Sequence, residues 1–211
     1  MINISKYNHI SFDLDGTLID SLKVMEKSWI MTCKKMQISI PFEAFKKHIG
    51  LPFRNIMENL SLDFIQDEIA KTYFENTQKN IDLIELYPGA KEVLDNLKKT
   101  DRVISIITSK PKLNADNIIK KFGLNIDYLV AGGDTDYGKP FNDPYLKVLK
   151  QIENHKVNTI YFGDTLNDLI FSINSKVDYC HCNYGIEGRL SYLILPQPNS
   201  ISSLEEIIYE K

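Results

Sequence analysis

The stretch "HISFDLDGTLIDS", His9 to Ser21, decides the fold. An apolar run of strand length breaks off in two aspartates separated by one leucine, and Gly16-Thr17 follow at once. An extended chain alternates sides, so Asp13 and Asp15 project together while Leu14 faces the other way. Two like charges ~4 Å apart repel by about 4 kcal/mol at an effective dielectric near 20. A strand that served only the core would not end so, and its end reads as the place where a cation and its ligand are held.

Working outward, four further short runs rich in β-branched or aromatic residues stand apart: "VISIIT" (103–108), "DYLVAGG" (127–133), "TIYFGD" (159–164) and "DYCHC" (178–182). Their length is that of strands buried on both faces. Helical patterns separate the later ones, at 88–99, 111–122, 143–153 and 166–174. This alternation predicts an α/β fold, a doubly wound, Rossmann-like parallel sheet with right-handed crossovers. Between the first two strands the pattern is helical throughout, broken at Pro41, Gly50 and Pro52. That is too much chain for one crossover. It predicts a small α-helical cap inserted at 19–86, above the carboxyl edge of a core made from 1–18 and 87–211. The tail "SISSLEEIIYEK" (200–211) reads as a closing helix.

Composition sets the outer bounds. With 211 residues and 43% hydrophobic composition, the chain suffices for one core and an insertion. Lys+Arg 25 against Asp+Glu 28 leaves a net charge of −3, with no basic field to hold nucleic acid or an anionic membrane. No apolar run approaches the ~20 residues of a membrane span, and "MINISKYNHI" carries neither a basic leader nor a signal core. The expectation is a cytoplasmic protein, a monomer or weak homodimer, with no nucleic-acid or membrane partner. Cys33, Cys180 and Cys182 are too few for a disulfide framework, and "CHC" lacks the spacing of structural zinc sites. They read as reduced core residues.

Ligands of doubly wound sheets bind at the carboxyl ends of the strands. The first strand ends in Asp13, Asp15, Gly16 and Thr17, and the second in Thr108 and Ser109. The connection after the third carries Lys139 in "YGKP", and the fourth ends in Asp164, with Asp168 a helical turn on. Singly, each has an ordinary explanation as a helix cap or turn residue. Ordinary explanations do not account for all of them falling in order on one sheet edge. Carboxylates without an accompanying His or Cys select a hard cation such as Mg²⁺, with Asp13, Asp15, Asp164 and Asp168 as the candidate ligands. Lys139, Thr108 and Ser109, the last near a helix N-terminus, would meet phosphate oxygens, with Gly16 and Thr17 in the adjoining turn.

With these residues in place, the chain resembles the haloacid dehalogenase superfamily of phosphohydrolases, and within it the phosphoglycolate-phosphatase-like branch. "FDLDGTLIDS", "IITSKP", "GGDTDYGKP" and "YFGDTLNDL" match its four motifs in order, and the resemblance covers nearly the whole chain. It implies a Mg²⁺-dependent phosphatase for small phosphorylated metabolites. Asp13 would attack phosphorus to give an aspartyl-phosphate. Asp15 would protonate the leaving oxygen and then deprotonate the hydrolytic water, and Thr108 would orient the phosphoryl oxygens. An ordinary aspartate is protonated only about one part in a thousand at neutral pH, so Asp15 needs its proton affinity raised.

Asp15 also favours a phosphate ester or anhydride over the carbon–halogen and carbon–phosphorus bonds cleaved elsewhere in the superfamily. A sugar phosphomutase is the alternative on the same fold. Its branch usually carries an arginine just after the cap glycine, where this chain has Phe53 and only then Arg54. Arg54 and His48, in the cap loop "HIGLPFRN", are candidates to meet the rest of the substrate. A receiver-like phosphoacceptor protein is weighed against by "DYLVAGG", which ends without an acceptor aspartate, and a silent binding protein by the intact Asp13, Asp15, Lys139 and Asp164. One departure from the family pattern is "LIFSINSKVD" after "GDTLND", where small residues and Ala-Gly are usual.

Overall fold

The computed structural model describes residues 1–152, 157–188 and 198–208. Its strands in chain order are β1 (Ile2–Asn3), β2 (His9–Phe12), β3 (Ile19–Asp20), β4 (Glu85–Leu86), β5 (Val103–Pro111), β6 (Tyr128–Gly132), β7 (Thr159–Gly163), β8 (Asp178–Cys182), β9 (Asn199–Ile201) and β10 (Ile207–Ile208). The helices are α1 (Leu22–Met36), α2 (Phe42–Lys46), α3 (Phe53–Asn59), α4 (Gln66–Lys79), α5 (Ala90–Leu97), α6 (Lys112–Phe122), α7 (Asp143–Leu149) and α8 (Leu166–Ser175). Six strands form one sheet in the order β6-β5-β2-β7-β8-β9, each pair parallel. This is the doubly wound parallel sheet that the alternating pattern predicts.

β2 lies at the centre, paired on both sides, and all four of its residues are buried. Ile10 and Phe12 join one apolar cluster with Ile104, Ile106, Ile160 and Phe162. Ile107, Val130 and Tyr161 build a second on the opposite face. β5 outruns the expected strand, reaching Pro111, because its register against β6 shifts between Ile107 and Pro111 and pairing resumes at Gly132. α7 ends at Leu149; Glu153, the last residue of the helix expected there, lies outside the described residues.

The tail departs from expectation. β9 extends the main sheet beside β8, Leu204–Glu206 make one turn of 3₁₀ helix, and β10 pairs with β1. Ser203 accepts a hydrogen bond from the Glu205 N–H, starting a turn that cannot continue because Ile207 is drawn into extended pairing. Leu204 and Ile207 are buried in the core. Residues 209–211 lie outside the described region. Cys33, Cys180 and Cys182 are buried free thiols. Among the described residues, no helix is long and apolar enough to cross a membrane.

Between β2 and β5 the chain leaves through β3 and returns through β4, an antiparallel pair of two residues each. The helices between them, α1 to α4, enclose their own cluster around Trp29, Phe45, Met57, Ile69 and Tyr73. Trp29 donates its indole N–H to the Ile40 carbonyl at 2.9 Å, which fixes the turn between α1 and α2.

The face of β2 opposite Ile10 and Phe12 carries a buried polar chain. His9 Nε2 meets Ser105 Oγ at 2.8 Å and His9 Nδ1 meets Thr159 Oγ1 at 3.0 Å, while Ser105 donates to Ser11 and Tyr145 covers Thr159. Burial lowers the His9 pKa from 6.5 to about 4, against a weaker pull upward from Asp127. The unfolded chain therefore binds the extra proton first, and stability falls as pH drops from 6.5 toward 4, by about 3 kcal/mol in all. Denaturant unfolding of wild type and His9→Gln across that window should show the slope in the former and a flatter profile in the latter; equal slopes would refute the assignment.

Candidate active site

Each strand of the central trio delivers a reactive group to the same edge. Past β2 the ladder continues for one residue, since Asp13 N–H donates to the Phe162 carbonyl at 2.8 Å. The chain then folds back, with the N–H groups of Leu18 and Ile19 both donating to the Leu14 carbonyl. Gly16 sits at φ +83°, and a Cβ there would lie 2.1 Å from Asp164 Oδ2. Only glycine can make the turn and leave room for that carboxylate.

Asp168 is oriented by a capping box at the start of α8, in which Thr165 and Asp168 satisfy each other's backbone and side-chain groups. Its Oδ2 accepts from Thr165 Oγ1 at 2.6 Å, leaving Oδ1 for Lys139 Nζ at 2.6 Å. Lys139 also donates to Asp13 Oδ1 at 2.7 Å and to the Tyr161 hydroxyl at 3.0 Å. Asp164 accepts from the Ile186 N–H at 2.7 Å and from Thr17 Oγ1 at 3.4 Å. Carboxylate oxygens of Asp13, Asp164 and Asp168 all lie within 4.8 Å of one another.

Asp15 stands apart from that trio. Its Oδ1 takes a hydrogen bond from Ser21 Oγ at 2.5 Å and an ion pair from Lys110 Nζ at 3.0 Å. Four carboxylates thus face two buried lysines, Lys110 and Lys139. Burial, with Asp168 and Asp15 nearby, raises the Asp13 pKa to about 7 despite Lys139. Burial, with Asp168 and Asp13, pushes Asp164 well above the carboxylate range. Asp168 is held below its ordinary value, because Lys139 and Thr165 outweigh burial. With all four carboxylates ionised, the two lysines among the described residues would leave two negative charges to be balanced, which a single divalent cation would do; the raised proton affinities of Asp13 and Asp164 express that same excess. An all-oxygen donor set fits a hard ion.

A cleft opens between this edge and helices α1 to α4. From the core side it is lined by Asp13, Asp15, Thr108, Ser109, Lys110 and Lys139. Gly16, Thr17, Asp164 and Asp168 are not on its wall; Thr17 is fully buried against Asp164. Thr108 Oγ1 accepts the Lys110 N–H at 3.2 Å. Ser109 points across the cleft, donating to the Gly50 carbonyl at 3.0 Å, and Asn167 donates to the same carbonyl at 2.8 Å. Arg54 is turned outward onto Glu58, and His48 lies against Asn59; neither lines the cleft.

Sequence reasoning missed three contributors. Lys110 was hidden inside "TSKP", which reads as a turn, although a lysine at a buried strand end asks for a counter-charge. Tyr161 looked like a core residue, and its hydroxyl joins Lys139 to Asp168. Ile186 acts through its backbone and leaves no side-chain signal. The unusual "LIFSINSKVD" segment is absorbed locally: Ser172 bonds back to the Leu169 carbonyl, and Lys176 takes the left-handed position that ends α8.

The sequence model of the haloacid dehalogenase-like hydrolase family matches residues 10–182. Pyrophosphatase PpaX of Halalkalibacterium halodurans is 28% identical over 188 residues, covering 86% of each chain. A second PpaX-named chain, from Caldanaerobacter subterraneus, is 31% identical over 176 residues, covering 82% of this chain and 80% of its own. Among solved structures, a Lactobacillus plantarum protein carrying the provisional name phosphoglycolate phosphatase superposes with a TM-score of 0.83 at 20% identity, covering 93% of this chain and 95% of its own.

Proposed function

Because this chain belongs to the haloacid dehalogenase-like hydrolases, and is a phosphatase among them, we propose that it transfers the phosphoryl group of small phosphorylated metabolites to Asp13 and then to water, with Mg²⁺ as cofactor. One observation carries this reading: Asp13 is the residue that belongs both to the carboxylate trio and to the cleft wall. Among the described residues it alone could touch a cation in that trio and a substrate in the cleft at once.

In this reading Lys139 holds Asp13 Oδ1 and keeps its carboxylate aimed at the incoming phosphorus. Asp15 stands two residues on, on the cleft wall, oriented by Ser21 and Lys110 for proton transfer to the leaving oxygen and from the hydrolytic water. Thr108 and backbone N–H groups near it receive the phosphoryl oxygens. Asp13, Asp164 and Asp168 would hold the ion, with Thr17 and Ile186 fixing Asp164. When bound, the ion would offset the charge of the carboxylates and of the phosphoryl oxygens, which is the larger part of catalysing phosphoryl transfer.

Residues 19–86 act as a cap over the core formed by 1–18 and 87–211, closing the cleft from above. The relatives' names, pyrophosphatase and phosphoglycolate phosphatase, support phosphoryl transfer as the reaction and leave open the group from which the phosphoryl is taken. Phe53 on the wall and Arg54 turned away support hydrolysis over sugar phosphate mutation.

Hydrolysis of an aryl phosphate by chelator-treated protein tests the cofactor. Turnover should vanish in excess chelator and return with added Mg²⁺. An undiminished rate in chelator would rule out the metal.

A further inference from the structure

We infer that the group leaving from phosphate is neutral and presents a broad apolar face, a ring or branched hydrocarbon on a short link, rather than a carboxylate or a second phosphate. This rests on the reading that phosphate docks at Asp13.

The side of the cleft facing Asp13 is built by all four cap helices. It carries Met25 from α1, Phe45 from α2, Phe53 and Ile56 from α3, and Tyr73 and Phe74 from α4. The aromatic rings are already packed as a panel. Phe53 stacks on Tyr73 at 5.3 Å between centroids with 29° between planes, meets Phe74 at 4.9 Å, and Phe45 meets Tyr73 at 5.4 Å. Such a surface would be held rigid before any ligand arrives.

Charge points the same way. Among the described residues, every charged one on the cleft wall comes from the core: Asp13, Asp15, Lys110 and Lys139. Lys139 lies between Asp13 and Asp168, and Lys110 is engaged by Asp15 at 3.0 Å. Arg54 makes its ion pair with Glu58 on the outer side of α3. Against the described residues, a second anionic group on the substrate would be pressed onto hydrocarbon with no cation of its own, losing hydration without recompense. An apolar ring would gain from the same contact.

The full-length protein with Mg²⁺ is assayed on 2-phenylethyl phosphate, ethyl phosphate, phosphoglycolate and pyrophosphate. The three esters all release a primary alcohol, so leaving-group acidity does not decide their ranking. The expected result is a kcat/KM for 2-phenylethyl phosphate about 100-fold above phosphoglycolate and pyrophosphate, the worth of burying roughly one ring face. Phe53→Arg should shift the ratio of the phenylethyl ester to phosphoglycolate by at least about tenfold toward the latter, while Phe53→Leu should keep the apolar preference. Turnover of ethyl phosphate with phosphoglycolate or pyrophosphate within about tenfold of the phenylethyl ester would overturn the inference and leave the phosphatase reading standing. No turnover of any of the four would overturn both.

Discussion

Asp13→Asn is expected to lower turnover by at least about 10⁴-fold, the scale on which loss of a nucleophile is felt in enzymes that act through a covalent intermediate. Asparagine keeps the shape of the side chain and an oxygen that can accept the 2.7 Å hydrogen bond from Lys139. What disappears is the charged oxygen that attacks phosphorus. The fold should not suffer. Burial and neighbouring carboxylates already lift Asp13 to about 7, so the native state gains little from its charge, and removing it relieves repulsion from Asp168 and Asp15. Thermal melting of metal-free protein should therefore give a Tm equal to wild type or higher, alongside the lost activity. A variant that turns over within tenfold of wild type would show that another group attacks.

Lys139→Met should cost both stability and rate. The ammonium is buried between Asp13 and Asp168, at 2.7 and 2.6 Å from their Oδ1 atoms. Burial acts to pull its pKa down, yet the two carboxylates hold it above the ordinary lysine value, so it stays charged throughout the working range. Taking the charge away leaves two buried carboxylates facing each other with nothing between them. Breaking a buried pair in this manner costs about 3–5 kcal/mol. Part of that should return on acidification, as the facing carboxylates share a proton. Denaturant unfolding of the metal-free variant at neutral and mildly acidic pH measures both effects. Turnover should fall by about 10²–10³-fold, as when one preorganised donor is lost. A variant as stable as wild type at neutral pH would contradict the charge balance drawn for the site.

The groups most legible in the sequence are those whose side chains stand at strand ends. Asp13 and Asp164 could be placed on one edge because strand polarity and alternation decide it, and Lys139 and Asp168 follow because they lie in the connection and the first helical turn that leave that edge, with no need to know how helices pack. The cap shows the opposite case. Adjacent helical residues point about 100° apart, so whether Phe53 or Arg54 faces the cleft depends on how α3 rolls against α4. The ring contacts of Phe53 with Tyr73 and Phe74 turn Phe53 inward, and Arg54 and His48 lie off the cleft wall.

Ser109 illustrates a subtler limit: its place beside the site was legible, but its bond to Gly50 depends on a loop nearly sixty residues away. The tail was misread for a related reason. Leu204 and Ile207 are spaced as on a helix, but β1 offers Ile207 a partner strand, and pairing wins.

The central claim is that phosphate resides covalently on Asp13 before water releases it. The direct test is acid quenching of the Asp15→Asn variant, which lacks the group assigned to activate water, after mixing with an activated aryl phosphate. The quenched protein is then reduced with borohydride and mapped by peptide mass spectrometry. The account predicts a modified residue at Asp13, absent from the Asp13→Asn control. Label on any other side chain, or none while aryl alcohol is released in a stoichiometric burst, would contradict it.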